Sequence, residues 1–142
     1  MRTELSKKSE YYISKERRME LAHFCKQYPT WIKERILLIY SPQKNQTDLS
    51  ETHSGGNSDP TSHTAFEIAY LTYRIDMVEK AAKETDPIIG DYIFQAAIRG
   101  LSYNNLNAYS KVPCCRNEFY KLYRKFFWIL DRKLRHTFAK EA

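Results

Sequence analysis

Glycine is rare in this chain, four residues in 142, and two of the four are adjacent at Gly55-Gly56. Their positions spell no glycine-rich phosphate-binding loop. Cysteine is scarcer still. Cys25, Cys114 and Cys115 are odd in number and two of them are neighbours, which is no disulfide framework for a secreted scaffold. A vicinal pair invites a redox or soft-metal reading, but no His or further Cys stands at zinc-ligand spacing around it. Cys114 and Cys115 are therefore read as small, semi-apolar residues in a helical first turn. The four histidines (His23, His53, His63, His136) are scattered, and no paired carboxylates or nucleophile-base arrangement accompanies them. The reading is a protein that is not an enzyme and needs no cofactor and no metal. His53, Asp59 and His63 share a polar stretch, where lone histidines are usually solvated rather than ligands. No apolar run approaches the roughly 20 residues of a membrane span. The start Met1-Arg2-Thr3-Glu4-Leu5 lacks the apolar stretch of a secretory signal. A cytoplasmic protein without a membrane partner is expected. Strand signals are nearly absent too, which makes the expected class all-α.

What the chain does hold is aromatic side chains and a lopsided charge. Hydrophobic residues make up 42% and aromatics 14%, with eleven Tyr and seven Phe, enough for one domain with a modest core or for a small domain plus an appended helical piece. The net charge is +6. Residues 111–142 carry nine basic side chains against three acidic ones, so the whole surplus lies there and the first 110 residues balance. A one-ended basic distribution suits a polyanion, because Lys and Arg that neutralise phosphates release condensed counterions. Charge alone leaves RNA, DNA, an anionic membrane or a merely solvated helix face open, and the arrangement of the residues must decide.

Along the chain, Ser14 can cap a helix carrying Met19, Leu21, Ala22, Phe24 and Cys25, and Pro29 interrupts it before a second run from Trp31 to Tyr40. Residues 41–63 are polar and rich in Gly, Pro, Ser and Asn without periodicity, which reads as a flexible linker. A long helix is predicted from about Thr64 to Glu84. Asp86 as N-cap and Pro87 at the first helical position should start another that ends at Gly100. The division expected is 1–40, a helical segment; 41–63, a linker; and 64–142, a helical domain.

The last forty residues are spaced as a helix-turn-helix at about 101–137 requires. Ser102 caps a short helix to Tyr109, Ser110-Lys111-Val112 make a tight turn with Val112 as apolar plug, and Pro113 opens a helix from Cys114 to about Phe138. Phe119, Leu122, Tyr123, Phe126, Ile129, Leu130 and Leu134 recur at spacings of three and four and form its core face. Arg116, Asn117, Tyr120, Lys121 and Arg124 lie on another face near its start, where a recognition helix presents side chains to bases. Arg can pair with guanine and Asn with adenine, while Lys and Tyr more often reach phosphate. Lys111 and Lys125 complete the candidate DNA-binding set. Arg132, Lys133 and Arg135, further along, would serve the backbone or solvent. Phe127 and Trp128 fall between the faces and should dock on earlier helices or on a protein.

The stretch Arg99-Gly100-Leu101-Ser102-Tyr103-Asn104-Asn105-Leu106, then Val112-Pro113, then Arg116 to Arg124, resembles the helix-turn-helix in the promoter-reading C-terminal region of sigma factors. Lys111 departs from that pattern, which commonly has glycine in the turn. Over most of the chain, Tyr28-Pro29 before Trp31, the Gly55-to-Pro60 linker, and Val112-Pro113-Cys114 leading to Phe119-Tyr120 and Arg124 to Phe127 are similar to small bacteriophage and prophage proteins of RinA and ArpU layout. The resemblance implies a phage-encoded regulator of late or packaging genes that binds double-stranded DNA in the bacterial cytoplasm, at the nucleoid. Homodimerisation is compatible with it. Two other classes stay open on the residues alone: an adaptor docking on RNA polymerase or a sigma factor through its aromatic helix, and a small-terminase-like DNA-packaging subunit.

Overall fold

A computed structural model describes residues 10–40 and 60–141. Its elements are α1 (Lys15–Lys26), α2 (Tyr28–Tyr40), α3 (Pro60–Thr85), α4 (Ile89–Arg99), α5 (Tyr103–Ser110) and α6 (Arg116–Glu141). No strand occurs among the described residues, and the all-α class holds. No helix among them is long and apolar enough to cross a membrane. The linker assigned to 41–63 falls outside the described residues except at its end, where 60–63 already form the first turn of α3.

The chain forms two compact units. One gathers α1 with everything from Met77 onward; the other is Tyr28 to Asp76. The segment 1–40 is thus parted at Gln27, a single residue between α1 and α2. Pro29 sits in the first turn of α2, where a missing amide costs nothing.

In the second unit, Trp31 is the anchor at 2% exposure, with Leu71 and Ile75 of α3 also buried. The Arg74 guanidinium lies 5.6 Å from the Trp31 ring centre, and Arg35 donates to the Thr72 hydroxyl at 3.2 Å. Much of the rest of α2 is apolar yet outward. Ile36, Leu37, Ile39 and Tyr40 are exposed, as are Phe66 and Tyr70 on α3.

The first unit holds the larger core. Ser14 caps α1 by accepting from the Arg17 amide at 3.1 Å, and Leu21 and Cys25 point inward from that helix. Asp86 does cap α4, but from three residues ahead of it. Its carboxylate accepts from the Ile88 and Ile89 amides, both at 2.8 Å, and Pro87-Ile88 form a turn rather than the first helical residues. Gly90 is buried where α4 meets the end of α3, and a Cβ there would run into the Ala82 carbonyl oxygen. Gly100 closes α4 in the left-handed region, φ 66°, with its own amide and that of Leu101 turned back to the Ala96 carbonyl. Along α6, Phe119, Phe126, Leu130 and Leu134 are buried as their spacing predicts, and Leu122, Tyr123 and Ile129 are half-buried. α4, α5 and α6 pack pairwise, and α1 packs on α4 and α6.

One carboxylate fastens α1 to α6. Asp131, 5% exposed, accepts from Arg17 Nε at 2.6 Å and holds Arg135 Nε at 3.0 Å. Burial alone would lower the Arg17 value, but the hydrogen bond and charge of Asp131, then those of Glu20, carry it upward.

Candidate nucleic-acid interface

The site is built from the short helix α5 and the start of α6. Ser102 caps α5, its hydroxyl accepting from the Asn105 amide at 3.2 Å. At the other end Lys111 takes up φ 45°, the left-handed conformation that glycine enters more readily, and its amide closes on the Asn107 carbonyl at 3.1 Å. A lysine therefore holds a backbone conformation that glycine adopts at lower cost. Val112 follows, 8% exposed, and its amide donates to Asn107 Oδ1 at 2.8 Å. The turn is thus pinned through both backbone and side chain of Asn107.

The sequence reading of Pro113-Cys114 as the helix start needs a correction. α6 begins at Arg116, and residues 113–115 remain outside it. The Cys114 carbonyl is taken by the Tyr103 hydroxyl at 2.7 Å, which holds that peptide in the connection, and the Cys115 carbonyl accepts from Phe119 to start the ladder. A second tyrosine works in the opposite sense. The Tyr120 hydroxyl accepts from the Tyr103 amide at 3.0 Å, one of the orphan donors at the start of α5. Phe119, fully buried, lies against both rings, 5.3 Å from Tyr103 and 5.4 Å from Tyr120. These contacts fix α6 relative to α5 without any charged residue.

The seven candidate DNA-binding residues then separate. Arg116, Asn117 and Lys121 are exposed on the first two turns of α6, and Lys111 is exposed on the turn that precedes it. Tyr120 is half-buried with its hydroxyl engaged. Arg124 is half-buried against α1, and Lys125 leans over the Tyr11 ring at 6.0 Å. Three of the seven are therefore turned wholly or partly into the fold. Further along, the basic residues have internal partners: Lys133 meets Glu84 at 2.5 Å, Arg135 meets Asp131, and Arg132 lies 4.8 Å from the Trp128 ring. Trp128 meets Tyr11, ahead of α1, edge-on at 5.4 Å, whereas buried Phe127 stacks on Tyr123 of its own helix at 5.0 Å and lines a cavity together with Met19 and Ala22 of α1.

Sequence reasoning missed Arg18. It lies on α1 with Met19 and Ala22, facing Tyr123, Arg124 and Phe127 of α6 across a cavity of about 220 Å³. Burial, and secondarily the charge of Arg18, pull the Arg124 guanidinium below arginine's usual value. Arg124 Nε is closed off from solvent with no acceptor, a donor whose desolvation costs about 1–3 kcal/mol. Nothing in the balanced charge of the first 110 residues singled out Arg18. The thiols differ sharply: burial pushes Cys25 up to about 12 and also raises Cys114, and Cys115 is exposed. Among the described residues no three His, Cys, Asp or Glu side chains gather where they could hold a metal ion.

An exposed Arg-Asn-Lys set at the start of a rigidly held helix, preceded by a capped short helix, can present hydrogen-bond donors and acceptors to a groove. No protein-family model, curated protein or solved structure matches the chain.

Proposed function

We propose that the chain binds double-stranded DNA sequence-specifically through a helix-turn-helix formed by α5 and α6, as a phage or prophage transcriptional regulator of the RinA and ArpU type acting on late or packaging genes. The observation that carries this reading is the local build of the turn. A Ser102-capped helix, a left-handed Lys111 and a buried Val112 lead into a helix whose first turns expose Arg116, Asn117 and Lys121. In this reading those three side chains contact the major groove, with Lys111 on the phosphate backbone. The contribution of Tyr120 is to hold the angle between the helices, and Arg124 and Lys125 stand back from the DNA. Selection of bound fragments from a random duplex pool tests it. A recurring sequence should be enriched, and Arg116→Ala should relax the preference at one position. Recovery of a pool indistinguishable from the starting library would sink the proposal.

A protein-binding adaptor is the second reading, and one observation favours it: six large apolar side chains, Ile36, Leu37, Ile39, Tyr40, Phe66 and Tyr70, are exposed on α2 and α3. Capture of RNA polymerase or a sigma factor in the absence of DNA, lost on Leu37→Asp, would support it.

A further inference from the structure

We propose that the outward face of α2 is a homodimer contact, on which two copies of the chain pair antiparallel across a two-fold axis. α2 is built with two opposite sides. At about 100° per residue, Trp31, Arg35 and Leu38 share one side, which is buried or half-buried. Lys33, Ile36, Leu37 and Tyr40 share the side about 180° away, and all four are exposed. Leu37 is 63% and Tyr40 79% open. Apolar residues at spacings of three and four are the seam that one helix offers another, and here that seam is turned to solvent.

The unit that holds α2 is short of core. Among its described residues only Trp31, Leu71 and Ile75 are buried. Three buried side chains are far fewer than a separate unit needs, and small units commonly gain the rest by oligomerising. The area suits a second copy. At roughly 200 Å² for a whole large side chain, Ile36, Leu37, Ile39 and Tyr40 leave on the order of 500 Å² open on each copy. Two copies together reach about 1,000 Å², the threshold for a specific interface. The charge suits it too. The described helices of this unit set Lys33, Arg35 and Arg74 against Glu34, Glu67 and Asp76, which leaves no net charge to repel a copy or to select a partner of opposite sign. With the axis between Ile36 and Leu37, Ile36 of each copy meets Leu37 of the other, and each Lys33 reaches the other Tyr40 as a cation–π pair. Taken with the DNA-binding reading, a two-fold pair calls for an inverted-repeat site. The pairing itself does not rest on that reading.

Sedimentation equilibrium of the full chain without DNA, over about 1–200 μM, is the test, and its outcome is separate from that of DNA binding. The mass should rise from one chain towards two, with a dissociation constant in the micromolar range. Leu37→Asp brings two carboxylates together at the axis, and should weaken pairing by about tenfold or more with helical circular dichroism unchanged. In a Cys114→Ser, Cys115→Ser background, Leu37→Cys should form a disulfide-linked dimer in oxidised glutathione. Thr30→Cys, at the far end of α2, should not, because antiparallel pairing carries the two copies of that end apart. The mass of the parent chain needs no variant to fold. A single-chain mass at every concentration, pairing indifferent to Leu37→Asp, or equal cross-linking at positions 30 and 37 would overturn the proposal.

Discussion

Replacing Asp131 by Asn should loosen the hold of α1 on the rest of its unit. The carboxylate is almost fully buried, and it bonds Arg17 at 2.6 Å and Arg135 at 3.0 Å. The two contacts are unequal. Arg135 is 70% exposed, so solvent screens it to about 0.3–0.5 kcal/mol, the range of exposed helix pairs. Arg17 is 31% exposed and joins residues 114 positions apart, so its charge-assisted bond is worth about 1.5–3 kcal/mol. Asn keeps the shape and removes the charge, giving an expected loss of about 2–3 kcal/mol, or roughly 5–10 °C in Tm for a chain of this size. Urea unfolding followed by helical circular dichroism measures it. A double-mutant cycle with Arg17→Met should return a coupling of about 1–2 kcal/mol, and Arg135→Met alone should cost no more than about 0.5. A loss below about 0.5 kcal/mol for Asp131→Asn, together with no coupling to Arg17, would refute the reasoning.

Gly90→Ala places a Cβ against the Ala82 carbonyl, and should destabilise by about 1–3 kcal/mol despite alanine's better helix propensity, as read by the urea midpoint. Ser102→Ala and Asn107→Ala each remove a cap or turn bond and should cost about 1 kcal/mol apiece by the same measurement. Among the thiols, Cys115 should label fastest with a disulfide reagent and Cys25 only on global unfolding. With Cys25 raised from 9.0 to about 12, its contribution is intact below pH 9 and is lost as pH rises towards 12, by about 4 kcal/mol at most. The urea midpoint should fall across that window, less so in Cys25→Ala.

The helices themselves were legible because their signals are local. Ser14 and Ser102 cap as their neighbours suggest, Gly100 takes the positive φ its place at a helix end requires, and the three-and-four spacing of α6 found Phe119, Phe126 and Leu130. The start of α6 was not legible in its own turn: the Cys114 carbonyl accepts from the Tyr103 hydroxyl, eleven residues upstream, and the first helical residue is Arg116. The basic face was legible only in part for the same reason. Periodicity groups Arg124 and Tyr120 with Asn117 and Lys121, but α1 lies along that side of α6 and covers the first two. Which helix covers which stripe is a long-range fact: Arg17 and Asp131, one of the contacts between α1 and α6, stand 114 residues apart, and no short window of sequence contains both.

The most direct test of the DNA-binding account is the salt dependence of duplex affinity, measured by fluorescence anisotropy for the parent chain, Lys121→Ala and Arg116→Ala. Affinity should fall steeply as salt rises, and the Lys121→Ala slope of log affinity against log salt should be shallower by about 1, the share of one phosphate contact. Arg116→Ala should lose about 1–3 kcal/mol on a selected site and much less on unrelated DNA. Unchanged affinity in both variants for every duplex tried, or binding indifferent to salt, would contradict the account.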